Sequence, residues 1–209
     1  MLTVDKLTIC QNALAATGNN VTAEPDDGHD EWEVASRAFD RAIPVLISRH
    51  DWKFATRTKL LGEQLSTSPS PRYSRAFEKP NDCLHVVAVF APTSNPPDTS
   101  AMLSELGYAI TKMEIVADKI CTNYPDPLTL KYLVIPEPEE THPLFVEALT
   151  LYVEAGCLRG LNEDENAAML RERQAEFILA EGRSRTDQQQ PRRSLRKSAL
   201  LQAKHRRRA

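Results

Sequence analysis

Between Glu31 and Leu61 the spacing of apolar residues changes from the repeat of a helix to that of a strand. Trp32, Ala35, Phe39, Ala42, Ile43 and Leu46 recur at intervals of three and four, which places them on one helix face. Lys53 to Leu61 follows with strand spacing. The hand-over falls in His50-Asp51-Trp52-Lys53-Phe54-Ala55-Thr56-Arg57, which holds one of the two tryptophans. Residues two apart in a strand share a face, so Trp52 and Phe54 are expected to plug one face together. Burying an aromatic of that size is worth on the order of 4–6 kcal/mol as an upper bound. A chain with such a joint must set a helical layer against a β layer, with Trp52 and Phe54 as the structural joint between them.

The remaining elements follow from local signals. Helices are expected over about 3–17, 30–50, 143–160 and 163–181. Gly18 stops the first, Pro44 interrupts the second with a kink, and Pro143 opens the third. Asn162 with Glu165 reads as a capping box for the fourth, in which Leu170, Phe177 and Ile178 face inward. Residues of about 53–135 form short strands whose connections are too short for crossovers, so the β unit is antiparallel. Ala117-Asp118-Lys119 supplies a tight hairpin turn, and Gly182 ends the folded body. The expected class is α+β: an antiparallel bundle of about four helices, a small antiparallel β unit, and an extended C-terminal tail. The body is residues 1–182 and the tail 183–209. Seven glycines against fourteen prolines favour stiff connections.

Charge is divided unevenly. From Arg183 onward ten basic residues face Asp187 alone, a net +9, while the body holds the other 16 basic and 28 acidic residues, a net −12. The tail should be disordered by itself, with residues 198–204 able to form a helical turn or two on a partner. No run of about 18 apolar residues and no leader pattern is present, so the expectation is a protein made in the cytoplasm with no membrane span.

Little in the chain points to catalysis. His29, His50, His85, His142 and His205 lack metal-ligand spacing, and no G-x-S-x-G, H-E-x-x-H, Walker or G-x-G-x-x-G pattern occurs. Asp26, Asp27, His29, Asp30 and Glu31 precede a helix, where acidic residues complement the positive N-terminal end. Cys10, Cys83, Cys121 and Cys157 are far apart in apolar settings and read as buried thiols. The chain is expected to be no enzyme and to need no cofactor or metal. The tail arginines could neutralise phosphates without reading sequence, which makes non-specific nucleic-acid binding the alternative function. No aromatic residue interleaves with them, however, and an acidic body repels DNA.

Three motifs occur in order: His50-Asp51-Trp52-Lys53-Phe54-Ala55, then Pro80-Asn81-Asp82-Cys83-Leu84-His85-Val86, then Pro143-Leu144-Phe145-Val146-Glu147-Ala148-Leu149 ahead of a charged helix. In this order the chain resembles the head-to-tail adaptor proteins of tailed bacteriophages, the tail tubular protein A and packaged-DNA-stabilisation family, over about residues 2–182. The resemblance implies a virion protein at the head–tail junction. It would form a ring of subunits, typically twelve, beneath the portal protein, with a tail (nozzle, tube or terminator) protein below and DNA passing through the lumen unread. It also implies that the C-terminal segment docks on the portal, which assigns that contact to Arg192, Arg193, Leu195, Arg196, Lys197, Leu200, Leu201, Lys204, Arg206, Arg207 and Arg208. The loop around residues 92–100 would face the tail.

Overall fold

The computed structural model describes residues 5–21, 29–92, 103–104, 106–125, 127–137 and 140–188. Among the described residues, four helices and two small antiparallel sheets make an α+β protein. Helix α1 (Lys6–Ala16) starts at Asp5, whose carboxylate accepts the Thr8 amide at 2.8 Å. It ends at Gly18, where φ is +73° and the amides of Gly18 and Asn19 return to the carbonyls of Ala15 and Leu14. Glycine takes that left-handed conformation at little steric cost. Helix α2 (Asp30–Ser48) carries Asp30, Glu31 and Glu33 in its first turn and continues across Pro44. Helix α3 (Pro143–Gly160) begins with proline, whose missing amide would have been unpaired there in any case.

Helix α4 (Glu165–Gln188) departs from expectation at both ends and on both faces. Its cap is Asp164, which accepts the Ala167 amide at 2.9 Å. Glu165 instead meets Arg159, and Asn162 accepts from Asn19 across the molecule. The helix does not stop at Gly182. That glycine is buried inside it, and six further residues follow. Leu170 and Phe177 face outward, while the inner stripe is Ala168, Ala175, Leu179, Gly182 and Thr186. Apart from Leu179 the side chains of that stripe are small.

The β residues split into two sheets, not the single unit expected from sequence. Strands β1 (Thr56–Leu60), β2 (Arg75–Glu78), β3 (His85–Ala91), β4 (Leu103–Ser104), β5 (Gly107–Ala109), β6 (Met113–Val116), β7 (Lys119–Thr122) and β8 (Thr129–Leu133) follow in chain order. One sheet runs β1-β8-β3-β5-β4 and the other β2-β7-β6, with every pairing antiparallel. The β6–β7 hairpin turns on Ala117 and Asp118, both with positive φ, the geometry that matches strand twist. At Gly107, with φ +116°, an added Cβ would lie 2.0 Å from the Ala91 carbonyl oxygen, so no other residue fits.

Two cores result. Leu130, Tyr132 and Val134 alternate onto one face of the larger sheet and pack with Phe77 and Ile120 of the smaller one. Leu133 points the other way, into the helical core with Leu14, Leu46, Trp52, Phe145 and Leu149. A bulge between Val86 and Ala88 lets Val87 join that second core. The α2–α3 contact is close because Gly156 and Gly160 face Ala38 and Val34. A Cβ at Gly156 would approach that of Ala38 to 2.4 Å.

Candidate functional site: the root of the C-terminal arm

Trp52 and Phe54 meet, but not by strand alternation. Strand β1 begins only at Thr56, and residues 50–55 form tight turns closed by Trp52 N–H to His50 O at 2.8 Å and Ala55 N–H to Trp52 O at 3.2 Å. The turns bring the rings into tilted and edge-on contact. Trp52 and Phe54 lie 5.5 Å apart between centroids, Trp52 and Phe145 5.4 Å, and Phe54 and Phe145 5.2 Å. His50 stands edge-on to Trp52 at 4.9 Å. The indole Nε1 donates to the Leu46 carbonyl at 3.1 Å, satisfying one of the acceptors left open at the end of α2. Trp52 is 2 % exposed, so the ring packs the core and its one polar atom is paired.

The last turns of α4 lie over this joint. Gly182 faces the indole, its Cβ position 3.6 Å from both a Trp52 ring carbon and Leu144 Cβ. Thr186 is buried, its hydroxyl donating to Gly182 O at 2.9 Å. Asp187 Oδ1 comes within 3.4 Å of the mostly buried His50 Nε2 without hydrogen-bond geometry. Beside them Glu176 gathers Tyr152 and Arg49, with Arg183 at 3.4 Å. The Tyr152 hydrogen bond, followed by the Arg49 charge, holds Glu176 below the usual carboxylate range. Burial, reinforced by the bond to Glu176, raises the Tyr152 phenol. Carbon packing, a polar network and the approach of Asp187 to His50 therefore hold the last turns of α4 on the body.

The second motif shares the same strand. Leu84 N–H donates to Leu133 O and Val134 N–H to Ala55 O, both at 2.8 Å, so the His50–Ala55 and Pro80–Val86 motifs flank β8. Tyr132 donates to Asp82 at 3.2 Å. A shallow depression of ≈ 460 Å³ lies beside it, lined by Arg57, Asp82, Cys83, Leu84, Ile135 and Glu137 among others. Arg57 is engaged by Glu140, and burial raises the Cys83 thiol. All four cysteines are free and buried, and burial pushes Cys10 and Cys157 up to about 12.

Among the described residues no group of three or more His, Cys, Asp or Glu could hold a metal ion, and no helix is long and apolar enough to cross a membrane. Asp26 and Asp27 lie outside the described residues, as do residues 93–100 and the arm positions Arg192, Arg193, Leu195, Arg196, Lys197, Leu200, Leu201, Lys204 and Arg206 to Arg208. Sequence reasoning missed the passage of α4 over Trp52, because a lone glycine before an arginine-rich run reads as a stop. The signal that could have found it is Thr186, four residues after Gly182 and seven after Leu179 on one helix face. No protein-family model matches the chain, and no curated protein matches it either.

Proposed function

We propose that this chain is a head-to-tail adaptor of a tailed bacteriophage, a structural protein of the virion and not an enzyme. Its body would be an antiparallel helical bundle with a β unit, repeated in a ring beneath the portal. Its C-terminal arm would dock on the portal, its far side would meet a tail protein, and DNA would pass through the lumen unread. The observation that carries this reading is the packing of two family-like motifs on either side of β8, with one of them holding the last turns of α4. The end of α4 ahead of the basic segment is thus held against the body, as an arm that bears load on a partner requires.

The charge division agrees with the role. A body of net −11 through Gln188 would line a channel without trapping a sliding polyanion, and an arm of net +8 beyond it suits an acidic groove on an oligomeric partner. Many arms docking at once bind tightly even when each is weak. The test is to remove residues 189–209, which leaves α4 whole. The shortened chain should keep its fold by circular dichroism and fail to join portal rings in electron micrographs. Full attachment of the shortened chain would sink the proposal that the arm is the docking element.

A further inference from the structure

His50 Nε2 is a buried polar atom with no hydrogen-bond partner, yet it lies 3.4 Å from Asp187 Oδ1. A buried donor or acceptor left unpaired costs free energy, and a carboxylate at its edge suggests what completes it. The imidazole is 17 % exposed and stands edge-on to Trp52, whereas Asp187 is 65 % exposed in the last turn of α4. The ring is therefore the fixed member and the carboxylate the one free to turn. Without a proton, the Nε2 lone pair faces an anion. With one, a small rotation of the carboxylate closes the bond, and that bond is strongest when the whole ring is charged.

The other charged and titratable groups on the elements that meet here are otherwise engaged or face solvent. Arg49 at the end of α2, Arg183 on α4 and Tyr152 on α3 are gathered by Glu176. Arg185 is paired with Glu181, the His142 ring caps the start of α3, and in the joint Asp51 is exposed and Lys53 half-buried. Among the described residues Asp187 is the one carboxylate in ion-pair range of His50. We propose that His50 and Asp187 form a proton-operated latch on the last turn of α4. The imidazolium holds the turn to the body, and the neutral ring releases it together with the basic segment that follows in sequence. The folded state gains a partner for the proton, so the hold is present at low pH and is lost as pH rises through the histidine range. Neither group lies in residues 189–209, so the latch holds or fails independently of the portal reading.

The test follows the His50 ring resonance against pH by NMR in the full chain, the signal being identified by its loss in His50→Gln. Asp187→Asn should lower the titration midpoint by about half a pH unit, a roughly threefold loss of proton affinity for a contact this exposed. Linkage is reciprocal, so the last-turn amides of α4 in the wild type should exchange about threefold more slowly near pH 5.5 than near pH 8, once intrinsic rates are divided out. Asp187→Asn and His50→Gln should each abolish that difference. A midpoint that Asp187→Asn leaves in place would overturn the latch. So would a wild-type last turn equally protected at both pH values, or a difference that persists in either variant.

Discussion

At the residue scale, two glycines of similar appearance in the sequence do opposite work. Gly156 lets α3 touch α2, and a methyl there would meet Ala38 at 2.4 Å with no flexible atom to move aside. Gly156→Ala should cost about 1–3 kcal/mol despite its better helix propensity, as a lowered urea midpoint. Gly182 has ordinary van der Waals room around its Cβ position and helical neighbours on both sides. Gly182→Ala should therefore stabilise by about 0.5–1 kcal/mol, because it reduces the freedom of the unfolded chain. Glu154 offers a pH signature. It is 7 % exposed, and burial raises its carboxyl from an ordinary 4.5 even though Arg171 lies 3.0 Å away and opposes the shift. The folded protein then binds that proton more tightly than the unfolded chain does. Its contribution is fully present below the ordinary value and is lost as pH rises through the raised one. Glu154→Gln should accordingly gain stability relative to wild type as pH rises past the ordinary 4.5, read from urea unfolding at several pH values.

At the scale of elements, helices with strong apolar periods and caps were legible in the chain. Expected and observed bounds agree for α3, and α1 ends at the expected glycine. Helix α4 was misread because its inner face is mostly alanine, glycine and threonine, with Leu179 the one large apolar side chain buried there. A stripe of small residues carries no hydrophobic signal, so the large side chains Leu170 and Phe177 were assigned to the wrong side. The joint was legible as a pairing of Trp52 with Phe54 but not as a conformation, since turns closed by backbone bonds leave no alternating pattern. The division into two sheets was hidden because every described strand but β3 has five residues or fewer, too short to reveal which neighbour it chooses. These corrections carry the body at least as far as Gln188. Ending the chain after Gly182 should lower the melting temperature by several degrees, because Thr186 and the contact near His50 go with it. Ending it after Gln188 should leave the melting temperature unchanged.

At the scale of the whole molecule, the decisive feature is an uneven charge along one chain, −11 through Gln188 against +8 beyond it. Sequence made that division plain and left its geometry open, since composition cannot say where an arm is attached. If the arm bound duplex DNA on its own account, affinity would fall steeply with salt, with a log–log slope near −0.9 for each phosphate neutralised. Filter binding at physiological salt should instead find weak duplex affinity in the full chain. Tight binding that disappears when residues 189–209 are removed would favour the nucleic-acid reading over the adaptor.

The contact between Gly182 and the indole of Trp52 gives the protein a reporter of its own. A force that peels the last turns of α4 away would admit water to a ring that is otherwise 2 % exposed. Tryptophan emission shifts to longer wavelength as its surroundings become wet. A titration in which a partner grips the arm could thus be followed by the colour of the light the protein emits, with no label attached.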